Sequence, residues 1–126
     1  MATTVGMTSA GSALVTGLLA ASAIKYIAQG TGATAYAATQ TALVSEATEA
    51  RVAGAQTQQT TDHTNDSYRV ISTITTAGAG KAITEAGIFD QLAVGGNMYA
   101  RAAFAAINTD IGDSIQFTFT TKHDHS

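Results

Sequence analysis

The run Ile83-Thr84-Glu85-Ala86-Gly87-Ile88-Phe89-Asp90 places a carboxylate where strand periodicity calls for a hydrophobe. Side chains alternate along a strand, so Ile83, Glu85, Gly87 and Phe89 point to one face. Ile83 and Phe89 mark that face as apolar, and Glu85 is therefore expected to be buried beside them. A lone buried carboxylate is expensive, and it needs a cation or several donors. Arg101, in the strand-like run that follows Gly95-Gly96-Asn97, is the expected partner, with Arg51 and Arg69 as alternatives. The expected role of a Glu85–Arg101 pair is structural, as a lock for a β-core, rather than catalytic. One conflict is visible at this level. Arg101 alternates with Phe104, so a core-facing Glu85 would put the two charges on different faces, unless a bulge or a subunit boundary intervenes.

Periodicity elsewhere is mostly that of strands. Lys25 to Ala28 reads as a short strand stopped by Gly30-Thr31-Gly32. Residues 51 to 61 and 67 to 76 read as a hairpin around Asp62-His63-Thr64-Asn65-Asp66, with Tyr68, Val70 and Ile74 on one face. Residues 97 to 106 form another run. After the turn at Asn108 to Asp113, Ile115, Phe117 and Phe119 alternate with Gln116, Thr118 and Thr120. Five or six strands with short turns predict an all-β fold, an antiparallel β-sandwich or jelly roll. The fold is expected to rest on Glu85, Gly87, Phe89, Arg101, Phe104, Ile115, Phe117 and Phe119. One helical turn is expected near Thr39 to Ser45 in the Ala-rich stretch 33–50.

The N-terminal segment departs from this pattern. Thr8-Ser9 is a capping signal, and Leu14, Val15, Leu18 and Leu19 form an apolar stripe at helical spacing. Gly11 and Gly17 each weaken the helix by about 1 kcal/mol relative to Ala, so it needs a surface to dock on. That surface is either one end of its own sandwich or a neighbouring subunit. The expected organisation is an arm at 1–23, a β-domain at 24–121 and a polar tail at 122–126. The arm lacks a basic flank, so a signal peptide is not expected, and its apolar run is too short to cross a membrane.

Composition narrows the function classes. Charged residues make up 12% of the chain, against about a quarter in typical soluble domains. An Ala- and Thr-rich surface with few charges suits close subunit packing, so an oligomer or lattice component is expected. The six basic residues are scattered singly, the opposite of a phosphate-tracking patch, and nucleic-acid binding is not expected. There is no cysteine and no tryptophan, which removes thiolate chemistry and counts against a carbohydrate-binding module built on aromatic platforms. Asp62, His63, Asn65 and Asp66 lack the ligand spacing of a cation loop, and His123-Asp124-His125 falls short of four zinc ligands. No cofactor or metal is expected. Glu85 and Asp90 are the only conceivable glycosidase-type pair, and no serine is placed by an oriented base, so an enzyme is not expected.

Taken in order, ITEAGIFD, a glycine-bearing turn, GNMYARAAF and GDSIQFTFT, preceded by Lys25-Tyr26-Ile27-Ala28, Gly30-Thr31-Gly32 and Thr39 to Glu46, resemble a family of small tailed-bacteriophage structural proteins. The resemblance spans roughly residues 24 to 121. It implies a virion structural protein. The favoured form is a capsid decoration or cement protein, a homotrimer on the outer surface of the head that binds the major capsid protein after assembly in the host cytoplasm. A tail-fibre or collar module is the alternative. Partner contacts are then expected from Leu14, Val15, Leu18 and Leu19 of the arm and from His123 and His125 of the tail.

Overall fold

The computed structural model describes residues 6–123. It is an all-β fold with one N-terminal helix, and its two antiparallel sheets are those of the sandwich class predicted from the sequence. The helix α1 spans Ser9–Ala21. The strands are β1 (Tyr26–Gly30), β2 (Val52–Ala53), β3 (Ala55–Gln59), β4 (Ser67–Thr75), β5 (Lys81–Phe89), β6 (Met98–Thr109) and β7 (Ser114–Lys122). One sheet has the order β2-β1-β5-β6 and the other β3-β4-β7. The run expected at 51–61 is thus two strands in different sheets. The chain changes sheet at Gly54, whose N–H donates to Lys25 O at 2.8 Å.

The described residues divide into two compact units. One comprises Ile24–Gly54 and Ser72–Phe117 and contains the four-stranded sheet. Its central strand β5 is buried on both sides from Glu85 to Phe89, which explains why this stretch reads as nearly continuous apolar sequence. Ile88 is matched with Ile27 in the ladder and both are inaccessible. On the side that carries Gly87, Phe89 packs with Ala28 and Leu43, and Met98 closes the cluster. Phe104 of β6 and Phe117 of β7 meet with ring centroids 6.3 Å apart.

The other unit comprises 6–23, Ala55–Ile71 and 118–123. The arm residues group in one unit with the β3–β4 hairpin. That hairpin pairs from Ala55 with Ile71 to Gln59 with Ser67, and Tyr68 and Val70 are buried apolar side chains of it. The hairpin turn is held by Asp66, whose carboxylate accepts from the N–H groups of Thr61, Asp62 and His63 and from Ser67 Oγ. Asn65, at φ 58°, supplies the left-handed residue of the turn, a conformation that asparagine tolerates better than most residues.

The helical turn expected near Thr39 to Ser45 does not form. The N–H groups of Val44 and Ser45 donate to a side-chain carboxylate, and Ser45 O accepts from Thr31 N. These groups are no longer available for i to i−4 bonds, so Thr31 to Arg51 runs as an irregular strap with a single bridge between Gly30 and Glu46.

Ile88 is fully buried in the central ladder. Ile88→Ala is expected to lower unfolding free energy by about 3 kcal/mol, within the usual range for a fully buried aliphatic truncation, measured as a shift of the urea midpoint at constant slope.

Candidate functional site

The carboxylate singled out in the sequence is the most heavily bonded side chain of the four-stranded sheet. Glu85 is inaccessible to solvent. Its Oε1 accepts from Val44 N at 2.9 Å and Arg101 Nε at 3.0 Å, with Arg101 Nη2 also at 3.0 Å. Its Oε2 accepts from Gly32 N at 2.9 Å and Ser45 N at 2.8 Å. Arg101 in turn donates to Thr34 O and Gln40 Oε1. The conflict over faces dissolves in the register. Glu85 pairs with Ala103 and Gly87 with Arg101, so Arg101 lies diagonally across from Glu85 on the same face. That face is roofed by the strap, while Phe104 points to the other. A shift of register between Ile83 and Glu85 is present, but the pairing depends on β5 being covered on both sides rather than on the shift.

Gly30-Thr31-Gly32 gains a different meaning here. A Cβ at Gly32 would lie 2.5 Å from Glu85 Oε2, and one at Gly30 would lie 2.6 Å from both that oxygen and Ser45 O. The glycines let backbone approach the carboxylate, a role that turn statistics alone do not reveal. Desolvation pushes the Glu85 carboxyl up. The N–H groups of Ser45, Val44 and Gly32, together with Arg101, outweigh it and hold the group below the ordinary carboxylate range.

Two further charged nodes tie the strap down. Arg51 is buried and doubly bonded to Glu46, and its guanidinium lies 3.7 Å above the Phe89 ring. Its Nη1 donates to the carbonyls of Gln91, Ala93 and Gly95. It is thus the keystone of the β5–β6 loop, a role the sequence reading missed by treating Arg51 as a candidate partner of Glu85. Asp90 closes the same loop through Asn97 N and Nδ2, both at 2.8 Å. Glu49 accepts from Lys81 Nζ at 2.7 Å and from Gln29. The carboxylates of Glu85 and Asp90 are therefore clamps, and both oxygens of the buried Glu85 are fully engaged by donors.

The other predicted residues fall in the second unit. Leu14 and Leu18 are 64% and 63% exposed, with Val15 and Leu19 half-buried. The helix does not dock through this stripe. Its buried residues are Ser12 and Thr16, and it is held by polar bonds. Gln58 Nε2 donates to Ala13 O and Thr16 Oγ1, Gln56 Nε2 donates to Ser22 O, and Thr16 Oγ1 donates to Asn65 O. The physical reason is that β3 offers glutamines, whose long amides reach helix carbonyls, rather than hydrophobes. Thr8 is the N-cap, accepting from Gly11 N at 3.1 Å. Asp62 and His63 line a cleft with Ser9, Ala10 and Ala13, and Asp62 is paired with Lys122. No group of three or more metal-ligating side chains occurs among the described residues, and the oxygens of Asp66 are engaged by the turn. His123 is half-buried and bonded to Thr121 Oγ1. His125 lies outside the described residues.

Replacing Glu85 with Gln is expected to destabilise the protein by about 3–5 kcal/mol, since it leaves Arg101 as an uncompensated buried cation. The same variant tests pH dependence. A carboxyl depressed on folding contributes stability that is full above its unfolded pKa and declines as pH falls through the folded one. Denaturant titrations on the acid side of the carboxylate range should therefore show a shallower loss for Glu85→Gln than for wild type, and equal slopes would contradict this assignment. No protein-family model matches the sequence, and no curated protein sequence is significantly similar to it.

Proposed function

We propose that this protein is a non-enzymatic structural component of a tailed-phage virion, most simply a decoration protein on the outside of the head that stabilises the assembled coat lattice. The observation that carries the reading is the inverted helix. Helix α1 turns the Thr16 hydroxyl inward onto Gln58 and Asn65 and presents Leu14 and Leu18 to solvent. Exposing two adjacent leucines costs a free chain solubility and gives its own core nothing, which is the pattern of a surface made for a partner. No charged residue lies between Met1 and Ile24, so such a contact desolvates no ion.

Two other features support a mechanical role. The buried charges Glu85, Arg101, Arg51 and Glu49 are each saturated within the fold, and they give it rigidity rather than a reactive group. The ordered resemblance of residues 24 to 121 to phage structural proteins points to the same class. A protein that binds only the assembled shell stabilises it by mass action. The coat protein is the proposed partner of the arm.

The test is the copy number per virion, measured by quantitative mass spectrometry against the major capsid protein. A ratio comparable to the coat protein is expected. A ratio lower by an order of magnitude would move the protein to the tail or its collar and overturn the decoration reading. With particles in hand, the double variant Leu14→Ser, Leu18→Ser should lose at least about tenfold in particle binding, roughly 1.4 kcal/mol, while its unfolding midpoint stays near wild type because neither side chain is buried.

A further inference from the structure

The strap from Thr31 to Arg51 is held to its sheet with little hydrophobic packing. Its buried residues are Gly32, Leu43, Glu49 and Arg51. Leu43 is the one large hydrophobe among them, and it clusters with Ala28 and Phe89. Most of the attachment runs through ions. The N–H groups of Gly32, Val44 and Ser45 all end on Glu85, and Arg101 extends the same node to Thr34 O and Gln40 Oε1. Arg51 is tied to Glu46, and Glu49 to Lys81 and Gln29. The sheet beneath is held differently. Its ladders pair β1 with β5 and β5 with β6 through backbone groups, which do not titrate. Acid therefore acts on the fastening of the strap and not on the pairing of the strands.

Glu85 is where this difference is sharpest. The groups bonded to its two oxygens are all donors: three backbone N–H groups of the strap and the guanidinium of β6. Arg101 is the charged side chain against it. From β1 comes Gly30, from the strap Gly32, and on β5 itself Lys81 is paired with Glu49. A carboxylic acid in this site would carry an O–H that faces donors, and a donor it displaced would be left unmade in a buried site. The same proton would remove the charge that compensates buried Arg101. There is little room to turn the group, since even a Cβ on Gly32 would lie 2.5 Å from Oε2. Backbone has to give, and the strap joins the sheet edge by a single bridge, Gly30 with Glu46.

We propose that the strap is an acid-operated latch: protonation of Glu85 detaches residues 31–45 while the β1-β5-β6 ladders stay paired. The open form uncovers Ala28 and Phe89 beside Met98, the apolar cluster that Leu43 covers when the latch is shut. Burial raises the Glu85 carboxyl, but its four donors outweigh burial and hold it below the ordinary carboxylate range while the strap is docked. The latch thus stays shut at and above that range and opens as pH falls through the docked value. Burial likewise pushes Glu49 up, and Lys81, Gln29 and the Ala77 N–H outweigh it, which makes Glu49 a second proton-sensitive tie. None of this depends on the virion assignment.

The experiment follows amide exchange of the full chain by NMR as pH is lowered, each rate being divided by the intrinsic rate at that pH. Protection at Gly32, Val44 and Ser45 should fall by at least about tenfold at a pH where β5 and β6 keep theirs. It should return when the pH is raised. Glu85→Gln sets a neutral amide of similar shape among the same donors, so its strap should be unprotected at neutral pH above a protected β5–β6 ladder. Strap and sheet amides that lose protection together in the wild type overturn the inference. So does a strap that keeps its protection until the sheet unfolds, or a folded Glu85→Gln chain whose strap is as protected as in the wild type. The wild-type titration decides the question even where the variant does not fold.

Discussion

The sheet β2-β1-β5-β6 depends on the burial of one carboxylate. Glu85 sits at the middle of the central strand, and its four hydrogen bonds from Gly32, Val44, Ser45 and Arg101 define where the strap from Thr31 to Arg51 must lie. A segment of that length without regular structure would ordinarily be mobile. Here each of its backbone donors near the carboxylate has a charged acceptor, and such bonds are stronger than neutral ones. Arg51 and Glu49 repeat the device farther along, fixing the strap to the β5–β6 loop and to Lys81. The result is a layer built by ions where an apolar layer would need more large side chains than an Ala- and Thr-rich chain possesses.

That economy of hydrophobes bears on how the surface is used. With few large apolar residues to distribute, their appearance on the outside is informative. Leu14 and Leu18 are exposed on a helix whose buried face is Ser12 and Thr16. The helix is fastened by glutamine amides, which leaves Leu14 and Leu18 exposed.

Sequence reasoning read the strands well because most are amphipathic. The alternation in β7, the Tyr68-Val70-Ile74 face of β4 and the turn chemistry around Asp66 each depend on neighbours a few residues away. The burial of Glu85 and its partnership with Arg101 were also legible, since an acid between Ile83 and Phe89 has few physical alternatives. What failed was non-local. The turn expected near Thr39 to Ser45 lost its hydrogen bonds to a carboxylate about forty positions away. Arg51 found three carbonyls in a loop that no periodicity connects to it. The stripe of α1 was legible as a stripe, but whether it docks on its own domain was not, because the glutamines that hold the helix lie on β3.

The amino-acid sequence by itself determined the alternation of the strands, the N-cap of the helix, the positions of the turns and the need of Glu85 for a cation. These follow from propensities and side-chain period, which act over a few bonds. Only the tertiary structure decided which face of α1 is buried, that the strap is held by carboxylate and guanidinium nodes, and that Gly30 and Gly32 exist for close approach. Each of these depends on groups far apart in the chain meeting in space, and the free energy of such a meeting appears in no local pattern.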